Sequence, residues 1–214
     1  MTREEQLKFI EENIPLETHF HSSRKMRHTF FKNIQTEVQA YMLGFYAADG
    51  GLNEKRKTLR IQLSEDDYEI VNLFKDLICP TARTFRKQKR NLTIGRHGET
   101  YNCAACYGVD INSTIICQSL VDLGFGYRKT WEEHKFPNID KKLIRHFIRG
   151  YFDGDGSIVG AYVKPDLKYK KNERFRVYWN IVSKTESILK EIQTFLKENG
   201  INSTICFARR DQMY

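Results

Sequence analysis

The stretch 148–156 reads IRGYFDGDG, and an echo of it, MLGFYAADG, stands at 42–50. Each is an apolar, helix-patterned run that carries small residues and closes on Asp-Gly. Gly150 and Gly154 are four residues apart, and so are the neighbours in the set Ala40, Gly44 and Ala48. Four residues is about one helical turn, so each set makes a smooth ridge along one helix face. Two such ridges can pack backbone to backbone. The aspartate that closes each run then lies close to its twin, which makes Asp49 and Asp155 the candidate reaction centre.

Electrostatics sharpens that choice. A carboxylate at a helix C-terminus opposes the negative end of the helix dipole, at a cost of a few tenths to about 1 kcal/mol. Two carboxylates brought together repel further. An arrangement unfavourable twice over calls for a compensating charge, most simply divalent cations. Hard oxygen donors with open positions suit Mg²⁺, which keeps waters and binds phosphate oxygens. Turn chemistry alone explains one Asp-Gly, but not two at matching places in a repeated unit. Asp153 has no counterpart, because Ala47 stands at its place in the first run. A local helix-end bond accounts for it as well as a catalytic role does.

The surroundings of the two runs repeat as well. Thr36-x-x-Gln39 is a capping box that starts the first helix. TLRIQLS (58–64) alternates as a half-buried strand, and Ser64-x-x-Asp67 is expected to cap a helix through about Ile78. Residues 81–109 read as a hairpin or short meander, dense in Arg83, Arg86, Lys87, Lys89, Arg90 and Arg96. Ile111 to Leu123 reads as an amphipathic helix. The order then recurs: a helix from Asn138 or Asp140 to the second Asp-Gly, strands at 157–163 and 176–182, a helix from Lys184 to Asn199 closed by Gly200, and the start of another strand. Ser183 sits at the same strand-to-helix corner as Ser64, and capping is sufficient explanation for both. Setting Ile188 on Ile70 gives an offset of 118 residues (188 − 70), against 106 between the aspartates (155 − 49). The chain is thus an internal duplication. Nothing in the second copy matches residues 97 onward, so the sequence is expected to be either a fragment or a naturally minimal second half.

Composition bounds the rest. At 40% hydrophobic and 29% charged, 214 residues make an ordinary globule rather than a disordered chain. The net charge of +8 suits a polyanion, most simply nucleic acid, though a merely basic protein is the plain alternative. Five cysteines, an odd number, and no signal peptide point to free thiols in a reducing, intracellular compartment. Cys103-Ala-Ala-Cys106 lacks a second CxxC and reads as structural thiols. No apolar run approaches the roughly 20 residues of a membrane span. Residues 1–35 read as an appendage, with a helix near 4–13. After it comes a solvated basic arm holding Arg24, Lys25 and Arg27 among His19, His21 and His28. The polar faces of the strands suit duplex readout in a major groove, where a β-ribbon fits. The candidates are Arg60, Gln62, Arg83, Arg86, Lys89, Arg174, Arg176, Tyr178 and Asn180.

Together these features resemble the LAGLIDADG homing endonucleases, in the monomeric form with two motifs. The second motif matches at Gly150, Asp153, Gly154, Asp155 and Gly156, and the first at Gly44, Ala48, Asp49 and Gly50. The resemblance implies an α+β fold, an αββαββα half repeated about a pseudo-twofold axis, with two saddle-shaped antiparallel sheets. It implies half-domains at 36–130 and 131–214, the second incomplete, and an interface built on Ala40, Gly44, Ala48, Gly150 and Gly154. It implies Mg²⁺ at Asp49 and Asp155, with Ala48 and Gly154 beside it, and Lys129 near a scissile phosphate. It implies a monomer that cuts both strands of double-stranded DNA. A non-cleaving DNA-binding regulator and an RNA maturase share the fold and remain the alternatives.

Overall fold

Two helices that end in Asp-Gly stand side by side at the centre, and each opens into an antiparallel sheet. The computed structural model describes residues 2–18, 24–94, 99–127, 135–163, 174–208 and Met213. In chain order these form α1 (Arg3–Asn13), β1 (Glu17–Thr18), β2 (Lys25–Met26), α2 (Glu37–Asp49), β3 (Gly50–Asn53) and β4 (Thr58–Ser64). Then come α3 (Tyr68–Ile78), β5 (Thr84–Lys87), β6 (Arg90–Ile94), β7 (Glu99–Cys103), β8 (Cys106–Asn112) and α4 (Thr114–Asp122). The second half holds α5 (Ile144–Asp155), β9 (Gly156–Val163), β10 (Arg174–Ile181) and α6 (Glu186–Glu198).

The capping box at Thr36 forms as expected, with Thr36 accepting from the Gln39 backbone and Gln39 reaching back. Helix α2 is apolar on nearly every side, and residues 42–47 are all buried. A helix of that composition belongs at the centre of a core. Gly50 ends it in an extended conformation, not a left-handed one, and the chain passes straight into β3. The sequence showed only a helix stop there. Glycine is needed for closeness: an added Cβ would meet the Tyr46 ring and its carbonyl.

The first sheet has the order β3-β4-β8-β5, antiparallel throughout, and β6 pairs with β7 as a separate hairpin. Leu59 and Ile61 of β4 face Ile111 and Val109 of β8 across the ladder, and all four are buried. Two boundaries differ from the sequence expectation. Ile111 and Asn112 end β8 instead of beginning a helix; Ser113 caps α4 from one residue later. Ser64 makes no side-chain cap, because a 3₁₀ turn at Glu65–Asp67 separates it from α3.

Two residues expected in a solvated arm are not solvated, although Lys25 is exposed. Arg27 and His28 are buried. Arg27 donates from its backbone to the Ile78 carbonyl (2.7 Å) and from its guanidinium to the Leu77 carbonyl (2.9 Å). A cation at the end of α3 answers the negative end of that helix. His28 Nδ1 lies 2.8 Å from the hydroxyl of Ser113, the cap of α4. Phe30 and Phe31 fill the core beneath α2. On α1, Gln6 Oε1 accepts from the Val38 backbone N–H at the start of α2 (3.0 Å). The segment therefore closes helix ends of the first half. His19 and His21 lie outside the described residues.

The second half departs from the first in its sheet. Among the described residues β9 pairs with β10, and no further strand joins them. Ile158, Tyr162, Phe175, Val177 and Trp179 share one face and are 44–74% exposed. The counterpart face of β4 is packed. Residues 201–206, expected to begin a strand, form no ladder, and Ala208 makes an isolated bridge to Met213. By the 118-residue offset, 202–205 match β5. A groove of about 610 Å³ separates them from β10, where the first half holds β8.

Candidate active site

Helices α2 and α5 meet at their glycines. A Cβ added to Gly44 would fall on the Phe147 carbonyl oxygen and 2.9 Å from the Tyr151 nitrogen; one on Gly150 would fall on the Tyr41 carbonyl oxygen and 2.8 Å from the Phe45 nitrogen. Further along, one on Gly154 would meet the Ala48 side chain. The contacts advance in the same direction along both helices. The helices are therefore parallel, and both end at the same level. Ala40 is fully buried one turn before Gly44. The two ridges read from the sequence are thus one interface.

At the common end, Asp49 and Asp155 converge. A Cβ on Gly154 would lie 2.9 Å from Asp49 Oδ2. The buried Tyr151 hydroxyl is pushed up to about 12, by burial first and also by the charges of Asp155, to which it hydrogen-bonds, and of Asp49. One side chain of α5 thus feels both carboxylates. The Val182 backbone N–H donates to the Asp155 carbonyl (3.1 Å), which ties the end of β10 to the end of α5.

Neighbouring polar groups are accounted for locally. The Tyr41 hydroxyl is also pushed up to about 12, by burial and by its hydrogen bond with Asp153. The Arg149 guanidinium lies 4.9 Å from the centre of the Tyr41 ring. Asp153 is therefore engaged across the interface with α2. At the other end of the interface His146 Nε2 stands 3.6 Å from Glu37 Oε2. Burial pulls the His146 value down; Glu37 opposes that, and Arg149 and Arg145 reinforce it.

The donor set fits a hard divalent cation. Two carboxylates meet where two parallel helix dipoles present their negative ends, so positive charge is favoured there. Among the described residues no third histidine, cysteine, aspartate or glutamate joins them. Mg²⁺ binds in this manner, through one or two carboxylates with water and substrate phosphates completing its shell.

The sheet faces divide the candidate duplex-reading residues. On the exposed face of the first sheet, Arg60 donates to both oxygens of Asp110 (2.7 and 2.6 Å), and Lys87 donates to Gln62 Oε1 (2.7 Å). Phe85 lies between them, its ring centre 5.5 Å from Arg60 and 5.3 Å from Lys87. Phe85, Lys87 and Asp110 are not among the duplex-readout candidates drawn from the sequence. The alternation in TFRK held the signal, since Phe85 and Lys87 share a face and Arg86 points to the other. Arg86 pairs with Glu65 and is absent from the face assigned to it. Arg83 precedes β5, and Lys89 falls between β5 and β6; both are exposed. On β10, Arg174, Arg176, Tyr178 and Asn180 do share one face, as their spacing required. There Ser157 donates to Asn180 (2.6 Å). Lys129 and Arg96 lie outside the described residues.

No curated protein sequence matches the chain. The family profile of the LAGLIDADG-like domain matches residues 142–212. Among solved structures, a point variant of I-SmaMI is similar at 12% identity and a TM-score of 0.50, over 84% of this chain and 78% of that one. I-DmoI in complex with DNA and calcium is similar at 18% identity and a TM-score of 0.44, over 87% and 81%. An I-DmoI variant with its target DNA and manganese stands at 15% and 0.42, over 87% and 85%. At such identities the I-SmaMI likeness speaks for the fold. The LAGLIDADG-like match spans a third of the chain, and the paired motif helices give the whole chain an α+β, antiparallel-sheet fold like that of I-SmaMI.

Proposed function

We propose that the chain is a site-specific endonuclease of double-stranded DNA that depends on a divalent cation, Mg²⁺ by the chemistry of its donors. The observation that carries this reading is the parallel α2–α5 contact, which sets Asp49 and Asp155 together at one end of the interface. Their carboxylates, beside Ala48 and Gly154, would hold the cation. Bound there, such ions activate water and stabilise a leaving phosphate oxygen. The protein's own share is to fix the two carboxylates at one level and to lay the duplex across both sheets. Arg60, Gln62 and Lys87 on one sheet, and Arg174, Arg176, Tyr178 and Asn180 on the other, supply phosphate and base-edge contacts. Lys129 would stand near a scissile phosphate. Two half-units, 36–130 and 131–214, with 1–35 as an N-terminal extension, would work as a monomer. I-SmaMI and I-DmoI have been solved with DNA, which accords with a duplex partner here.

A second reading, a duplex-binding regulator that does not cut, is favoured by one observation: the second sheet has two described strands where the first has four. Linearisation of plasmids carrying candidate target loci, in Mg²⁺ or Mn²⁺, separates the two. Wild type cuts and Asp49→Asn and Asp155→Asn do not. Binding without cutting supports the regulator, and cleavage unaffected by either substitution sinks the assigned site.

A further inference from the structure

The first sheet carries a carboxylate on the face proposed for the duplex. Asp110 of β8 stands directly across the ladder from Arg60 of β4. It accepts from Arg60 Nε and Nη2, at 2.7 and 2.6 Å. The Phe85 ring lies over Gly108, where an added Cβ would meet it, and its centre is 5.5 Å from the Arg60 guanidinium, within cation–π reach. Arg60 is thus oriented from two sides, while its side chain stays 46% exposed and that of Asp110 32%. On the other flank β3 sets Gly51 opposite Arg60, and a Cβ added there would meet nothing within 4 Å. A recess of about 190 Å³, lined by Gly51, Asn53, Arg56 and Thr58 together with the pair, opens at that point.

With Nε–H and one Nη2–H given to Asp110, the guanidinium keeps both Nη1 protons and one on Nη2. One donor from each terminal nitrogen makes a fork of the shape that takes guanine O6 and N7. A phosphate suits the same fork, but charge decides between them. The Arg60–Asp110 pair is neutral as a whole, so it displaces little counterion from a duplex, and Asp110 repels a phosphate brought close. A base edge carries no net charge and meets neither obstacle.

We propose that Arg60 reads a guanine in the major groove, in the half of the target under the first sheet, and that Asp110 is its positioning residue. The proposal rests on the duplex-binding reading of this sheet. The spare lone pairs of Asp110 suit the amino group of cytosine, so one G·C pair satisfies both groups. Lys87, bonded to the neutral amide of Gln62, keeps its charge for a phosphate.

The test uses the full chain to select binders from random-sequence duplexes in Ca²⁺, which takes oxygen ligands as Mg²⁺ does. On the selected duplex, replacing the guanine should weaken wild-type binding about tenfold, the scale of one bidentate base contact. Asp110→Asn should lose most of that discrimination and bind unrelated duplexes more tightly. It should also steepen the fall of log K with log salt by about 1, because Arg60 regains its net charge. Arg60→Gln should relax the same position of the consensus and no other. A consensus with no guanine that these variants relax overturns the proposal. So does a salt slope lowered by about 1 in Arg60→Gln with the consensus intact, which makes Arg60 a phosphate contact. If wild type enriches no sequence at all, site-specific duplex recognition itself fails, and the proposal with it.

Discussion

Gly44→Ala tests the interface on which the site depends. The added methyl group lands on the Phe147 carbonyl oxygen and 2.9 Å from the Tyr151 nitrogen. Both are backbone atoms inside α5, and neither can rotate aside. The helices must separate by on the order of 1 Å to recover ordinary contact. Overpacking against backbone that cannot move aside falls in the upper part of the usual range, about 2–3 kcal/mol. Alanine is meanwhile a better helix former than glycine by about 1 kcal/mol. The clash wins, for a net loss of about 1–2 kcal/mol. For a chain of this size that lowers the melting temperature by roughly 2–8 °C. Thermal melts and urea titrations read it, with an unchanged urea slope marking a pure stability effect. Gly150→Ala should cost about as much from the other side. The double variant should cost less than the sum, since one separation relieves both clashes. Gly51→Ala is the control, because no atom lies within 4 Å of its added Cβ; it should stay within about 0.5 kcal/mol of wild type. A Gly44→Ala chain as stable as wild type would refute the backbone-to-backbone packing.

Three further outcomes follow from other parts of the chain. Thr36→Ala removes the cap of the central helix and should lower stability by about 0.5–2 kcal/mol in urea unfolding. Burial holds His146 below its ordinary value, so the folded state resists its protonation. Stability should fall as pH drops through about 6.5, the unfolded value, and level off below the folded one; His146→Gln should flatten that part of the urea-midpoint profile. Cys117 is fully buried and its thiol is pushed up to about 11, by burial first, with Lys57 opposing. A thiol reagent at pH 8 should therefore label exposed Cys206 at once, and Cys79 and Cys117 only as the chain unfolds.

The repeated phrase made the core of this fold legible. Helix periodicity and the four-residue spacing of Gly44, Ala48, Gly150 and Gly154 carry the interface almost unaided, because only small residues permit that approach. The faces of β4 and β10 followed from period-two alternation. What stayed hidden depends on distant partners. Arg27 and His28 look like solvated basic residues until the ends of α3 and α4 arrive to meet them. Arg60 looks like a free cation until β8 sets Asp110 opposite. Residues 201–206 have a strand's composition but no neighbour to pair with, and a ladder needs two strands.

The differing surroundings of the two aspartates bear on how a duplex would be cut. A double-strand break needs one hydrolysis on each strand, and in a pseudo-symmetric site each carboxylate serves one strand more than the other. Tyr151, whose hydroxyl donates to Ser183 Oγ (3.0 Å), stands one turn before Asp155, whereas Phe45, packed on Phe74, stands one turn before Asp49. Unlike surroundings would give unequal cation occupancy when the ion is scarce, and so unequal rates on the two strands. A supercoiled plasmid bearing the target should then pass through a nicked circle before it becomes linear, with more of the nicked form at low Mg²⁺. Labelling each strand separately should show the same strand cut first every time. Tyr151→Phe should shrink that bias, because it makes the residues one turn before the two aspartates alike. A wild-type enzyme that cuts both strands at one rate across the Mg²⁺ range would refute the asymmetry, however well it cuts.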